Sequence, residues 1–184
     1  MNERTFNIWR EQKRLNETMN PAGVAQTEEN ETNYFLALLS EVNEHQECYI
    51  WKHWAKETKD GRRWEALDPQ NAKVEAIDIL FFFISLLQVN GTKEEDFFHV
   101  WDAAWADKEL APAKNPVIEA ANLLLERTHL GVYTLVKLLK FYFPTEADAL
   151  SVYQKKLQVN YDRMKRGRKQ VGDTLAEEEN KSIH

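Results

Sequence analysis

The chain has 184 residues, a formal net charge of −6 and one cysteine, Cys48. This length favours a single domain that is large enough to bury a hydrophobic core. The acidic balance disfavours a nucleic-acid duplex as partner, because binding to phosphates requires a basic face. A lone cysteine excludes an intrachain disulfide and is typical of a protein from a reducing compartment.

The sequence carries no signature of secretion or of membrane insertion. Residues 1–20 are polar and charged, and they lack the apolar segment of a secretory signal. The longest apolar stretch, residues 79–87, is interrupted only by Ser85 and is far shorter than the ~20 residues that a membrane span needs. We therefore expect a cytoplasmic protein that makes no membrane contact.

Strong helix formers dominate the composition, and the alternating pattern of strands is scarce. The sequence therefore predicts an all-α fold, a helical bundle without a sheet. Breaks rich in proline, glycine and asparagine separate the predicted helices. These helices cover residues 4–18, 31–57, 71–89, 93–111, 116–128, 131–142 and 145–166.

Local signals set the limits of the domain and of one helix. Thr92, followed by Glu95 three residues later, has the form of a capping box and predicts the start of the fourth helix. The polar composition of residues 168–184 predicts a disordered tail. One all-α domain over residues 1–167 would then comprise the folded part of the chain.

Two acidic residues lie at the start of the most apolar of these helices. Glu75 and Asp78 are three residues apart and therefore share one face of the helix. The residues that follow are apolar all round, which predicts a central and buried helix. Ionised carboxylates beside an apolar core cost roughly several kcal/mol each unless a cation neutralises them. The pattern therefore indicates that these acids have a cationic partner.

A second acidic pair with the same spacing, Glu41 and Glu44, lies on the preceding helix. Two helices joined by a short loop usually pack antiparallel, so the two acidic pairs would face each other. Four inward-pointing carboxylates repel one another unless they share a divalent metal, and an all-oxygen ligand set favours magnesium or manganese. The spacing predicts a central metal-binding core of four helices. The alternative is an ordinary solvated helix face.

A basic cluster lies near the C-terminus. Lys156, Asn160 and Arg163 are spaced i, i+4 and i+7, which puts them on one helix face. Two cations and an amide on one face suit a polyphosphate ligand. The alternative is an exposed basic surface, since Lys155 and Lys165 are close in sequence.

Two further pairs can contact a nucleotide. Lys52 and Trp54 lie about one turn beyond the acidic stripe, where a ring can stack on a base and a lysine can meet a phosphate. Gln12 and Asn16 share one face of the first helix, and their amides can pair with the edge of a base. The alternatives are an ordinary helix end with buried tryptophans for the first pair and surface positions for the second.

Taken together, these motifs resemble those of a known family. The order E-x-x-E, W-K-x-W, E-x-x-D and K-x(3)-N-x(2)-R-x(3)-G is similar to that of the dimeric dUTPases and their phage dCTPase/dUTPase relatives. These enzymes belong to the all-α nucleoside triphosphate pyrophosphatase superfamily, which includes the MazG-like proteins. The matching residues are Glu41, Glu44, Trp51, Lys52, Trp54, Glu75, Asp78, Lys156, Asn160, Arg163 and Gly167, and Gln12 with Asn16 resembles the family's Q-x-x-L-N.

The resemblance implies a reaction and a role for each motif. dUTP and water would give dUMP and diphosphate through attack at the β-phosphorus, with magnesium as the cofactor and a homodimer as the assembly. Glu44 would orient and deprotonate the attacking water. The implied metal ligands are Glu41, Glu44, Glu75 and Asp78; the phosphate-binding residues are Lys52, Lys156, Asn160 and Arg163; the base-binding residues are Gln12, Asn16 and Trp54.

The chain departs from the family pattern at two places. The family often has a histidine three residues after the motif aspartate, where this chain has Phe81, and often G-Y after the arginine, where Gly167 is followed by Arg168. These departures leave open a preference for dCTP or for another, modified deoxynucleoside triphosphate on the same scaffold. A third interpretation is a helical interaction module without catalytic activity. The apolar flanks of Asp78 disfavour it, because a docking stripe would be exposed.

Overall fold

The computed structural model describes residues 6–166 of the chain. Within this range it contains eight α-helices, two short 3₁₀ helices and no strand, which confirms the predicted all-α class. The predicted tail over residues 168–184, together with Gly167, Arg168 and the first two residues of the predicted helix 4–18, lies outside the described residues. The helices are α1 (Ile8–Met19), α2 (Glu28–Glu47), α3 (Lys56–Lys59), α4 (Pro69–Val89), α5 (Glu94–Ala106), α6 (Pro116–Asn122), α7 (Val132–Tyr142) and α8 (Glu146–Lys165).

Side-chain caps explain where several helices begin. Asn7 accepts a hydrogen bond from a backbone N–H in the first turn of α1. Asp68 caps α4 in the same way, and Pro69 occupies the first helical position, where no N–H is needed. A full capping box, with Thr145 and Asp148 as its two members, begins α8. The sequence therefore specifies these starts locally.

The capping box predicted at the start of the fourth helix is wrong. Helix α5 begins after Lys93, whose side chain makes no cap hydrogen bond. The Glu95 carboxylate instead lies 3.8 Å from the Lys93 ammonium. Three acidic residues in the first turn of α5 favour this start through the helix dipole. The helix predicted over residues 116–128 is also shorter than expected, because α6 ends at Asn122.

The predicted helix over residues 31–57 is wrong at both ends. Helix α2 begins at Glu28 and ends at Glu47, and a loop over residues 48–68 follows. Tyr49 was one of the apolar positions of the predicted helix, and both Tyr49 and the next residue, Ile50, are buried. They are buried by pairing across the loop and not by a continuation of the helix. The spacing of apolar residues in the sequence cannot distinguish these two cases.

Backbone hydrogen bonds close the base of the 48–68 loop. Ile50 N donates to the Glu65 oxygen at 2.9 Å, and Trp64 N donates to the Ile50 oxygen at 2.7 Å. Leu67 N donates to the Cys48 oxygen at 2.8 Å. The loop therefore leaves α2 and returns to α4 at fixed points, with the short helix α3 between them.

Helix α4 lies at the centre of the bundle, as its apolar sequence predicts. It packs against α1, α2, α7 and α8, and its middle residues, such as Phe83 and Ile84, are fully buried. No helix within residues 6–166 has the length and the apolar content that a membrane crossing requires.

Helices α2 and α4 pack antiparallel, which confirms the predicted arrangement. Cys48, at the end of α2, accepts a hydrogen bond from Asn71 in the first turn of α4. Glu41, two turns earlier in α2, approaches Glu75 and Asp78, which lie further along α4. The two acidic motifs consequently face each other across the helix interface.

Candidate active site

Three carboxylates from α2 and α4 converge at one point. Glu41, Glu75 and Asp78 each offer an oxygen atom, and these atoms all lie within 4.8 Å of one another. Glu75 and Asp78 are buried, and Glu41 is partly buried. The structure thus brings together three of the four acids that the sequence predicts as metal ligands. We call these three side chains the acidic cluster.

Burial and mutual repulsion shift the protonation equilibria of the acidic cluster. Burial, together with the charges of Asp78, Glu44 and Glu75, raises the pKa of Glu41 to about 10. Burial and the charge of Asp78 raise the pKa of Glu75 to about 7. Burial also raises the pKa of Asp78, against the opposing effect of Lys156. Without a cation the cluster therefore holds protons near neutral pH, as expected of a site that favours added positive charge.

Helix α8 brings basic side chains to this cluster. The Lys156 Nζ atom lies 2.6 Å from Asp78 Oδ2, and Lys156 is itself buried. The charge of Arg163 lowers the pKa of Asp78, so the guanidinium group lies within electrostatic reach. Asn160, between them on the helix, is partly buried. The alternative of an exposed basic surface is therefore wrong for Lys156.

Glu44, the predicted general base, lies at the rim of the acidic cluster. Its side chain is exposed, and its Oε1 atom accepts a hydrogen bond from Ser40 Oγ at 3.1 Å. Its charge contributes to the raised pKa of Glu41, which shows that the two carboxylates are close. Its catalytic role stays a prediction.

Gln12 and Asn16 are buried, with exposed fractions of 1% and 2%, so the alternative of surface positions is wrong. Gln12 Nε2 donates to Asn16 Oδ1 and to Ser85 Oγ, both at 3.0 Å. Asn16 Nδ2 donates to Ser85 Oγ at 2.9 Å. The Tyr153 hydroxyl donates to Gln12 Oε1 at 2.8 Å. We call Gln12, Asn16, Ser85 and Tyr153 the amide network.

Ser85 and Tyr153 were not among the predicted site residues. Ser85 is the one polar residue within the apolar run at 79–87, and a hydroxyl there requires a partner. Tyr153 precedes Lys156 by three residues, so it lies on the basic face of α8. Both signals were available in the sequence. The hydrogen-bond partners could not be recognised in the same way, because Gln12 and Asn16 belong to α1, far away in the chain.

The amide network and the acidic cluster lie along the same two helices. Ser85 follows Asp78 by seven residues on α4, which is two turns, or about 10 Å along the axis. On α8, Tyr153 lies one turn before Lys156, which contacts Asp78. The acidic cluster and the amide network are therefore about as far apart as the two ends of a nucleotide, although the network itself is buried.

Lys52 and Trp54 lie in the 48–68 loop, not on a helix as predicted. Trp54 is 59% exposed, and its ring packs edge-on against Trp51 and His53. Lys52 Nζ lies 5.5 Å from the centre of the Trp51 ring. A cavity of about 240 Å³ adjoins this part of the loop, with walls that include Glu47, Tyr49, Trp51, Lys52 and Leu67. The predicted contacts of Lys52 and Trp54 with nucleotide stay predictions.

The fold and the site together define a class of protein. An all-α bundle in which carboxylates from two antiparallel helices face a lysine and an arginine can hold a divalent cation and a polyphosphate together. These properties are typical of helical enzymes that hydrolyse nucleoside triphosphates. A family model described as dUTPase matches residues 5–167, so the chain belongs to the dUTPase family and is a dUTP diphosphatase.

The family match confirms the resemblance drawn from the motifs. It covers the acidic motifs, the amide pair and the basic cluster, and it is consistent with the all-α superfamily that includes the MazG-like proteins. The comparisons with curated proteins and with solved structures find no match. The assignment to the family therefore depends on the family model and the motifs.

Proposed function

We propose that the protein is a magnesium-dependent enzyme that converts dUTP and water to dUMP and diphosphate. The observation that carries this proposal is the convergence of Glu41, Glu75 and Asp78 within 4.8 Å of one another. The family membership supports the hydrolysis of dUTP. The geometry supports a site in which the phosphates meet a cation between α2, α4 and α8.

The residues of the acidic cluster fit a hard divalent ion. Their donors are carboxylate oxygens alone, and neither histidine nor cysteine belongs to the cluster, which favours magnesium over zinc. Burial and mutual repulsion raise the pKa of Glu41 and of Glu75 despite the opposing charge of Lys156, which supports a site that favours a further cation. A bound magnesium ion supplies neutralisation of phosphate oxygens and a lowered pKa of water.

The basic residues of α8 hold the triphosphate in this proposal. Lys156 lies against Asp78 at the acidic cluster, so its ammonium would meet phosphate oxygens by turning from this carboxylate. Asn160 and Arg163 lie on the same face, one and two turns further along the helix. Lys52, on the loop, would contact the phosphates from the opposite side. These contacts position the anhydride bond and stabilise charge in the transition state.

Glu44 is the proposed general base. Its carboxylate is exposed and close to Glu41, so water can reach it while it borders the acidic cluster. It would orient the attacking water and accept its proton. A role as a fourth metal ligand is part of the same proposal.

Gln12 and Asn16 would read the base, and Trp54 would stack on it. The amide network lies about 10 Å from Asp78 along α4, a separation that the sugar and the α-phosphate of a nucleotide can bridge. A side-chain amide offers a donor and an acceptor side by side, which suits the edge of uracil. Because the network is closed in this structure, base binding requires Asn16 to become accessible.

A homodimer and a cytoplasmic location are further parts of the proposal, from the family resemblance and from the sequence. The dimer can be tested by light scattering of the purified protein. The alternative substrate, dCTP or a modified deoxynucleotide, would use the same cluster and the same basic face. The non-catalytic module is disfavoured because Glu75 and Asp78 are buried rather than exposed for docking.

A diphosphate-release assay tests the proposed function. We expect hydrolysis of dUTP with magnesium, none with EDTA, and slower hydrolysis of dCTP, dTTP and the purine nucleotides. Asp78→Asn should abolish activity, whereas Glu29→Gln, an exposed change on the first turn of α2, should leave it unchanged. Full activity in EDTA would contradict the metal site, and a preference for a purine nucleotide would contradict the dUTPase assignment.

A further inference from the structure

Ser85 is the hydrogen-bond acceptor shared by both amides of the network. Its hydroxyl donates to the Phe81 carbonyl oxygen, one turn earlier in α4, at 2.9 Å. A serine hydroxyl has one proton, so Ser85 Oγ can only accept from the amides. Gln12 Nε2 and Asn16 Nδ2 supply the two hydrogen bonds that it accepts. Ser85 is fully buried, so water cannot replace these partners.

This arrangement fixes the orientation of the Asn16 amide. A flip of the side chain would set Oδ1 against Ser85 Oγ, two acceptors face to face. It would also set Nδ2 against Gln12 Nε2, two donors face to face. Both hydrogen bonds would be lost in a buried site, which is strongly unfavourable.

The orientation of the Gln12 amide is also fixed by its hydrogen bonds. Its Oε1 atom accepts from the Tyr153 hydroxyl, while its Nε2 atom donates to both Asn16 and Ser85. A flip would place Oε1 opposite two acceptors. The donor and acceptor pattern of the network therefore depends on two hydroxyl groups, that of Ser85, which accepts from both amides, and that of Tyr153, which donates to Gln12.

A fixed amide can distinguish uracil from cytosine, whereas a freely flipping amide cannot. After its bonds to Ser85 and Gln12, Asn16 has one further N–H and one further oxygen lone pair. Uracil presents an N3–H donor beside a carbonyl acceptor. Its N3–H can donate to the Asn16 oxygen while its carbonyl accepts from the Asn16 N–H, and this pairing requires one orientation of the amide. Cytosine presents an N3 acceptor beside an amino donor. It can pair with Asn16 only when the oxygen and the nitrogen of the amide exchange places.

We propose that Ser85 is a positioning residue that sets the preference for uracil over cytosine by fixing the amides of Asn16 and Gln12. This inference rests on the proposed role of Gln12 and Asn16 in base reading. Ser85 itself acts through the two amides and does not contact the substrate. Tyr153 supports the same orientation through Gln12.

The test is the ratio of kcat/KM for dUTP to kcat/KM for dCTP in Ser85→Ala. We expect this ratio to fall about tenfold or more, with the efficiency on dCTP rising in absolute terms. A variant that was merely destabilised would lose efficiency on both substrates. Ser85→Thr keeps the hydroxyl and should keep the ratio.

Two further variants separate orientation from packing. Tyr153→Phe retains the ring, which stacks on Phe81 at 4.2 Å between centroids, and removes only the hydroxyl. It should lower the ratio to a smaller extent than Ser85→Ala. Thr134→Val removes another buried hydroxyl, on α7, and should leave the ratio at its wild-type value.

Asn16→Ala distinguishes failure of this inference from failure of the proposed base-reading role. If Asn16→Ala lowers efficiency on dUTP while folded Ser85→Ala keeps the wild-type ratio, the role of Ser85 is overturned and the base assignment stands. If Asn16→Ala keeps full efficiency on dUTP, the base assignment fails, and this inference fails with it. Should Ser85→Ala not fold, a wild-type ratio in Tyr153→Phe overturns the inference.

Discussion

The Lys156 ammonium lies 2.6 Å from the Asp78 carboxylate in the interior of the bundle, where their side chains are only 5% and 12% exposed. Withdrawing two charges from water is costly, and their attraction offsets that cost only while both are present. The pair therefore joins α8 to α4 and also determines the electrostatic state of the acidic cluster.

Removing one member of this pair should destabilise the protein more than removing both. We expect Lys156→Met to lower the free energy of unfolding by about 3 kcal/mol, because Asp78 would remain buried without its cation. Adding Asp78→Leu to that variant should restore part of the loss. Urea unfolding of the metal-free single and double variants measures the coupling, and strictly additive changes would show that the pair makes no net contribution.

Substitution of Glu44 should reduce turnover without affecting the fold. Glu44→Gln keeps the shape of the side chain but removes the proposed base, so we expect kcat for dUTP to fall at least ~100-fold. The melting temperature should change little, because the side chain is exposed. Glu29→Gln, on the same helix, provides the matched control. Turnover near the wild-type value in Glu44→Gln would refute the role of general base.

The metal-free protein should lose stability as the pH rises. The folded-state pKa values of Glu75 and Glu41, about 7 and about 10, exceed the usual 4.5 of a glutamate, so the folded state binds more protons than the unfolded state above pH 4.5. The free energy of unfolding should therefore fall as the pH rises from about 5 to about 9. Urea unfolding in EDTA across this range measures the slope.

Two comparisons isolate the cause of this pH dependence. Glu75→Gln removes the group that titrates near neutral pH, so the variant should show a smaller slope than the wild type. Saturating magnesium should stabilise the protein most at the higher pH, where the carboxylates are ionised. An equal slope in Glu75→Gln and the wild type would exclude the acidic cluster as its source.

Gly131 is required by the packing between the loop before α7 and the central helix. A Cβ atom at this position would overlap the Glu126 carbonyl oxygen and approach Phe83 Cζ to 2.9 Å. Gly131→Ala should therefore lower the free energy of unfolding by about 2 kcal/mol or more. Gly23→Ala is a suitable control, because the nearest atom there, at 3.2 Å, is the end of the Asn20 side chain. Equal melting temperatures for the two variants would contradict this expectation.

The acidic cluster could be predicted from the sequence because its determinants are local. The i, i+3 spacing of Glu75 and Asp78 fixes one face of α4. The antiparallel packing that brings Glu41 across was expected from a short connection, whereas the structure achieves it through the hydrogen-bonded base of the longer 48–68 loop. Lys156 could be placed on the correct helix face by spacing alone. Its pairing with Asp78 depends on how α8 packs against α4, which spacing does not specify.

The amide network could not be predicted, because its hydrogen bonds join distant parts of the chain. Gln12 and Tyr153 are separated by 141 positions, and Asn16 and Ser85 by 69. Two amide side chains on a polar helix have the sequence pattern of surface residues. Only their hydrogen-bond partners in the structure show that they are buried. The end of α2 was misplaced for a similar reason, since pairing across the loop buries Tyr49 and Ile50.

The closed base of the 48–68 loop has a consequence for sequence variation within the family. The hydrogen bonds between residues 48–50 and 64–67 set where α4 begins relative to the end of α2, whatever lies between them. The tip can therefore lengthen or shorten without changing which acids face each other, and each doubling of its length costs only about 0.6 kcal/mol. Gly61, near the tip, has a φ of +83° and no atom within 4 Å of an added Cβ, so this turn makes no close contact with the rest of the chain there. The 48–68 loop can diversify while the acidic cluster stays in register.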